Sequence, residues 1–244
     1  MRKLSALVKR NLIEIIRDPL TAVFCVAFPI VMLVFMQVIF SQTGFTPDNF
    51  KIENYAVGIC VFGYTFLSMF IAMSIAGDKN SSFIKRIEVS PVNRGTYLFS
   101  FVLSGLPIAF CQTVLFFAIA FLFKLPFNGK SFLAMLYLLP SALFYISFGV
   151  LLGVICKNEK QTGPINSIVV SLAGILGGIF MPLSAFSGGF LTFVNILPFS
   201  HTVSVASEIY TLGAKCIYPH GLIVVGYIFL VWIVLFLVEK VKRK

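Results

Sequence analysis

Six stretches of this 244-residue chain contain no Asp, Glu, Lys or Arg, and each is at least 23 residues long. A helix rises about 1.5 Å per residue, so about 20 apolar residues cross the roughly 30 Å hydrocarbon core of a bilayer. Charged residues make up only 11% of the chain, whereas ordinary soluble domains carry about 25%. The sequence therefore predicts an all-α integral membrane protein.

One membrane span fits each charge-free stretch, so that residues 1–244 form a single transmembrane domain. The predicted spans are residues 20–40, 55–76, 97–121, 132–156, 164–186 and 221–238. The fifth stretch, 161–207, is long enough for two spans, but glycines, Pro198 and His201 interrupt its second half. We interpret residues 187–213 as short helices that lie on or re-enter the outer leaflet, which is allowed where protein covers the backbone.

The positive charges predict the orientation of the six spans. Fifteen of the 19 Lys and Arg residues fall on the side that carries both termini. Loops rich in Lys and Arg are retained on the cytoplasmic side, so both termini are expected there. A seventh span within 187–213 would place only twelve Lys and Arg residues on the cytoplasmic side and seven on the other. The larger asymmetry, fifteen against four, favours six spans. The formal net charge of +10 is then explained by Lys and Arg residues that fix the orientation of the spans next to anionic lipid headgroups. No nucleic-acid partner is predicted.

Residues 1–18 predict an amphipathic helix that lies on the inner leaflet. Its apolar residues recur at helical spacing: Leu4, Leu7, Val8, Leu12, Ile15 and Ile16. Arg10, Glu14 and Arg17 lie on the other side, together with Lys3. Asp18 and Pro19 then supply an N-cap and a first-turn proline for the first span. Such a helix is either a membrane anchor or a contact for a cytoplasmic partner.

The sequence predicts neither a catalytic residue nor a metal site. The five cysteines form no Cys-x-x-Cys pair, and the two histidines lack a cluster of other ligands at metal-binding spacing. Residues 128–131 are similar to the end of a phosphate-binding loop, but Lys124 occupies the position of its required first glycine. All nine acidic residues lie outside the predicted spans, which disfavours an ion-coupled carrier because such carriers usually hold an ionisable group at mid-membrane.

Residues 77–95 form a short basic segment between the second and third spans. Asn80 or Ser81 can cap a helix there, and Ser90–Pro91 can end it. The helix would present an apolar face with charged neighbours, formed by Phe83, Ile84, Lys85, Arg86, Ile87 and Glu88. Because an apolar face in a cytoplasmic loop needs a cover, we expect a partner to dock on it. The alternative is a solvated loop whose charge only fixes the topology.

In their order along the chain, these features resemble the permease subunits of type-2 ATP-binding-cassette (ABC) exporters. The N-terminal helix is similar to their connecting helix, and residues 83–94 look like their basic, proline-terminated coupling segment. Residues 174–184 and 197–201 are similar to their fifth helix and extracellular re-entrant helices. One departure is Lys79–Ser82, which replaces the Glu and Gly residues often seen where the coupling helix begins.

The resemblance implies that ATP binding and substrate translocation are carried out by different subunits. A separate nucleotide-binding subunit would hold ATP and Mg²⁺ and dock on Phe83–Glu88 and on Arg10, Glu14 and Arg17. A second permease copy would complete the pathway, as a homodimer or alternatively a heterodimer. Further sites implied in this way are Gly174, Gly177 and Gly178 for dimer or helix packing, and Pro182, Pro198 and His201 for an outer gate. The Gly174 and Gly178 spacing allows close helix contact, between copies or within one chain.

The expected function is export of a hydrophobic or amphipathic substrate, such as a drug, an antibiotic or a peptide, across a bacterial plasma membrane. Export of polysaccharide, teichoic acid or lipid is an alternative within the same family. An ion-coupled carrier and a membrane sensor are the alternatives from other classes.

Overall fold

A computed structural model describes residues 2–79, 81–89 and 92–242, without the side chains of Arg2, Lys85, Glu88 and Lys242. All regular secondary structure in these ranges is helical. The helices are α1 (Arg2–Arg17), α2 (Pro19–Ala22), α3 (Phe28–Thr43), α4 (Ile52–Asp78), α5 (Ser82–Glu88), α6 (Arg94–Leu122), α7 (Gly129–Ile155), α8 (Glu159–Leu176), α9 (Gly188–Ile196), α10 (Pro198–Ser207), α11 (Ile209–Leu212) and α12 (Ile217–Lys242).

Five helical segments of the described chain are long and apolar enough to cross a membrane. They are Pro19–Thr43, Ile52–Asp78, Arg94–Leu122, Gly129–Ile155 and Ile209–Val241. The bent pair of α9 and α10 becomes a sixth candidate if it is counted as one span. The prediction of an all-helical, multi-span membrane protein is confirmed.

The fifth predicted span, 164–186, differs from the structure because α8 ends at Leu176. Gly178 adopts a left-handed φ of +80°, and the Phe180 N–H donates to the Gly174 carbonyl at 3.0 Å. Glycine tolerates this conformation, which ends helices efficiently. A Cβ on Gly174 would lie 2.8 Å from the Phe180 ring. Within the chain these glycines therefore shape a turn, and their role between copies stays a prediction.

Helix α4 lies at the centre of the bundle and packs against α3, α6, α7, α8 and α10. It is buried on nearly every side, as expected of a helix that is apolar all round. Its closest neighbour is α7, where a Cβ on Gly149 would collide with the Ser68 backbone. A Cβ on Gly153 would lie 2.7 Å from Ile75. This Gly-x-x-x-Gly pair allows the two backbones to approach closely.

A proline and a glutamine shape the first span. Pro29 has no N–H, so it cannot bond to the Cys25 carbonyl one turn earlier. The chain forms a π-helical turn there, Val23–Ala27, and Gln112 of α6 donates its Nε2–H to the Cys25 carbonyl at 2.7 Å. A backbone group that a membrane helix leaves unpaired is thus satisfied by a neighbouring helix.

Both termini of the described chain lie at the same end of the bundle, which we call the termini end. There Arg10 of α1 pairs with Asp78 at the end of α4, and Arg94 at the start of α6 pairs with Glu239 near the end of α12. The opposite end, the loop end, carries the connections 44–51, 123–128 and 208–216.

Helices α9 and α10 meet at an angle of 79°. The Tyr227 hydroxyl donates to the Ile196 carbonyl at the bend, and Ser141 donates to the Thr202 carbonyl at 2.7 Å. Tyr227 lies ten residues into α12, which places the bend about 15 Å along that helix from the loop end. This geometry fits either a broken span or a re-entrant hairpin.

Candidate functional site

A bidentate ion pair joins α1 to α4 at the termini end. The Arg10 guanidinium donates from Nη1 to Asp78 Oδ2 and from Nη2 to Asp78 Oδ1, both at 2.6 Å. Its Nη2 also lies 2.8 Å from Glu14 Oε2. Asp78 is only 5% exposed, so the guanidinium replaces contacts with water that the carboxylate loses on burial. Parallel Arg–carboxylate hydrogen bonds are among the strongest polar contacts in proteins and fix the relative orientation of the two groups.

Helix α6 completes the network from its first two turns. The Tyr97 hydroxyl donates to Asp78 Oδ2 at 2.8 Å, and Asn11 Nδ2 donates to Ser100 Oγ at 2.8 Å. Ser100 in turn donates to the Tyr97 carbonyl at 2.6 Å. Asn11, Tyr97 and Ser100 are all buried. Three helices are therefore tied by hydrogen bonds that have little access to water, which strengthens them.

Burial and the ion pair together shift the pKa values of two side chains of α1. Burial alone would lower the pKa of Arg10, but the hydrogen bond to Asp78 and the charge of Asp78 raise it above its ordinary value. Burial raises the pKa of Glu14, and the nearby Arg10 offsets this only in part. Arg10 is thus held as a cation against Asp78.

Helix α5 packs onto the same network, which corrects the expectation that its apolar face is exposed. Ser81 caps the helix by accepting the Phe83 N–H at 3.2 Å. The Phe83 ring lies beneath the guanidinium of Arg10, 3.9 Å from Cζ to the ring centroid, and Ile84 and Ile87 are buried. The expected exposure of this face is wrong because the chain itself covers it, whereas docking of a partner at this segment stays a prediction. Ser90 and Pro91, the predicted helix end, lie outside the described residues, as does Asn80.

The start of the 77–95 segment is also tied to α7 and α8. Lys79 Nζ donates to the Val154 carbonyl at 2.6 Å and to the Cys156 carbonyl at 2.5 Å, at the end of α7. A lysine there satisfies carbonyls that the helix leaves unpaired. Gly77 lies so close to the Glu159 carboxylate of α8 that a Cβ would collide with it. The segment is therefore a fixed junction of several helices.

Only part of the predicted docking set faces solvent. Arg17 and Arg86 of that set are exposed, and so is Val89, which lies just after it and is 88% exposed. Arg10, Glu14 and Phe83 come together in the network, whereas Arg17 does not join them. The side chains of Lys85 and Glu88 lie outside the described set.

The predicted outer residues lie in the region of α9 and α10. Pro182 precedes a short 3₁₀ turn, and Pro198 begins α10. The buried His201 has its Nδ1 2.7 Å from Nδ1 of His220 and its Nε2 2.8 Å from the Asn195 carbonyl oxygen. A hydrogen bond with His220 lowers the pKa of Glu208, which links the end of α10 to the start of α12. No group of three or more His, Cys, Asp or Glu among the described residues could hold a metal ion.

Sequence reasoning missed Asp78, Tyr97, Asn11 and Ser100. A signal did exist for Asp78, since it is an acid directly after a long apolar stretch in a region of mostly positive charge. Asn11 lies four residues after Leu7 and four before Ile15, on the buried side of α1. A polar residue at that position indicates a buried hydrogen-bond partner.

Residues 2–211 match the family described as ABC-2 type transporter. The chain belongs to the ABC-2 type transporter family. It is also 26% identical over 205 residues to ABC transporter G family member 20 of Dictyostelium discoideum. That alignment covers 81% of this chain and 28% of the relative, so the chain spans less than a third of the relative's length.

Membership of the ABC-2 family makes this chain a membrane component of an ABC transporter. An ABC-2 domain is a transport component and not itself the ATPase. The matched residues contain α1, α4, α5 and α6, so the whole Arg10–Asp78 network lies within the family domain.

Proposed function

We propose that this ABC-2 chain forms the translocation pathway of an exporter driven by a nucleotide-binding subunit, which docks at the termini end. That end faces the cytoplasm in this proposal, as the distribution of Lys and Arg favours. The bidentate pair between Arg10 and Asp78 carries the proposal. It joins α1 to the central helix of the bundle, and α5 packs on it through Phe83.

The junction suits the transmission of a mechanical step. A displacement of α5 moves Phe83, which lies against Arg10 and packs near Tyr97. Arg10 and Tyr97 both bind Asp78 at the end of α4, and α4 packs against α3, α6, α7, α8 and α10. ATP and Mg²⁺ would be bound by the partner, and this chain would receive the resulting movement.

A second copy is proposed to pack near α8. The exposed side of this helix is formed by Ile165, Ser167, Ile168, Ser171, Leu172 and Ile175. Ser167 and Ser171 donate their hydroxyl hydrogens to carbonyls of their own helix, which leaves the hydroxyl oxygens as acceptors. None of these six side chains is charged. Such a face could line a pathway between two copies. A homodimer is the simplest arrangement, with a heterodimer of two related chains as the alternative.

The same face supports a hydrophobic or amphipathic substrate, such as a drug, an antibiotic or a peptide. Its side chains are isoleucine and leucine with small hydroxyls, which suit cargo with few charges. Polysaccharide, teichoic-acid or lipid export remains the alternative within the family. In the bent pair, Pro198 and His201 would belong to the outer gate, with Pro182 on the loop before it.

Substitutions at Arg86 of α5 and at Val89, just after the helix, test the docking proposal. Arg86→Glu and Val89→Asp change side chains that face solvent, so the fold should be unaffected. Each is expected to lower the amount of ABC ATPase that co-purifies with the chain by roughly tenfold, as for the loss of one interface anchor. Phe45→Asp is the matched control, because Phe45 is 73% exposed at the loop end. Full ATPase recovery with both the Arg86 and Val89 variants would refute docking at this surface.

A further inference from the structure

A cavity of about 450 Å³ lies between α6 and α12 at the termini end. Its walls are mostly apolar, with polar groups from the helix ends. The lining residues are Asn93, Gly95, Leu98, Trp232, Leu235, Phe236, Glu239 and Lys240. An apolar cavity with a few polar groups at one end is typical of a binding site for an amphipathic molecule.

Glu239 is the most informative of these residues. Its side chain is only 12% exposed, and Arg94 Nε lies 3.2 Å from Oε2. Neither carboxylate oxygen receives a hydrogen bond of good geometry from any described residue. An ionised carboxylate accepts several hydrogen bonds, and burial without them is costly. The cavity therefore favours a ligand that brings an N–H donor, preferably a charged one.

A second cavity lies farther along α6 and α12, toward the middle of the membrane, and α7 forms its third wall. This cavity of about 560 Å³ is lined by Leu106, Pro107, Phe110, Leu139, Pro140, Leu143, Val225 and Ile228. From Glu239 to Val225 is fourteen residues, about 21 Å along α12. One leaflet contributes about half of the 30 Å hydrocarbon core, so the surface of α6 and α12 along the two cavities, here called the groove, is long enough for one acyl chain.

We propose that this groove binds one phospholipid with a primary ammonium headgroup, such as phosphatidylethanolamine, from the leaflet at the termini end. The ammonium group donates to Glu239, the phosphate lies near Arg94 and Lys240, and an acyl chain follows the groove past Trp232. A choline headgroup carries no N–H, and a glycerol headgroup carries no cation for the buried carboxylate. This lipid site goes beyond the proposed transport role and does not depend on it.

Trp232 is the only tryptophan in the chain and lines the cavity, so its fluorescence reports directly on the site. Full-length protein would be reconstituted in phosphatidylcholine bilayers with increasing amounts of brominated phosphatidylethanolamine, phosphatidylcholine or phosphatidylglycerol. Half-maximal quenching by the ethanolamine lipid is expected at a mole fraction roughly two- to tenfold lower than for the others. That factor corresponds to about one net hydrogen bond.

Two variants at the site and one control make the test specific. Glu239→Gln should abolish the preference, whereas Glu53→Gln, at the loop end, should keep it. Gly95→Leu leaves Glu239 unchanged but fills the cavity, since a Cβ there meets only Asn93 Oδ1 at 3.9 Å. It should also abolish the preference, which covers the case that Glu239→Gln fails to fold. Equal quenching by the three lipids, preference for the glycerol lipid, or a preference that persists in a folded variant at 239 or 95 would overturn the proposal.

Discussion

Arg10→Ala is expected to be among the most damaging single substitutions in this chain. It leaves the Asp78 carboxylate buried without its cation, and breaking a buried pair in this way costs about 3–5 kcal/mol. We expect a large fall in the melting temperature in detergent and loss of ATP-dependent activity of the assembled transporter. Thermal unfolding of the purified chain measures the first effect, and ATP hydrolysis by the complex measures the second.

Arg17→Ala is the matched control, because Arg17 carries the same charge on the same helix but is exposed. It should change stability by less than about 1 kcal/mol, as is usual for exposed charges. The double variant Arg10→Gln with Asp78→Asn should recover much of the lost stability, because it removes both charges together. Equal stability of the Arg10 and Arg17 variants would show that the ion pair contributes little.

Gly149→Val tests the contact between α4 and α7. Any Cβ at this position would collide with the Ser68 backbone, which cannot move without displacing the central helix. Overpacking typically costs about 1–3 kcal/mol, and this backbone contact should be at or above the upper end of that range. We expect most of the protein to be lost as aggregate in size-exclusion chromatography.

Gly226→Val provides the comparison for that experiment. Gly226 lies within α12, and a Cβ there would meet no atom within 4 Å. The Gly226→Val substitution therefore causes the same change of helix propensity as Gly149→Val, but without the collision. Similar yields of monodisperse protein from both variants would contradict the close approach of α4 and α7.

The sequence was sufficient for the membrane class and for most of the helices. Charge-free stretches identify apolar helices because a bilayer imposes a length and excludes charge. The end of α8 was harder, since residues 177–186 are as apolar as the helix before them. There the structure depends on the left-handed conformation of Gly178, which hydropathy does not report.

The candidate site was only partly predictable for a different reason. Arg10, Glu14 and Phe83 were identified, but as contacts for another protein. Their contacts within the chain depend on how α1, α4 and α6 pack together, which neither periodicity nor charge counting contains. Asp78 and Tyr97 are nineteen residues apart and meet only after α4 and α6 have packed.

The central claim is that an ABC ATPase docks at the termini end, on the surface around Val89. The most direct measurement places a photo-reactive amino acid at position 89, or at position 45 as a loop-end control, and identifies the products by mass spectrometry. We expect a crosslink from position 89 to a protein with a phosphate-binding loop, and none from position 45. Crosslinking of the ATPase from position 45, or its absence at position 89 in an active complex, would contradict it.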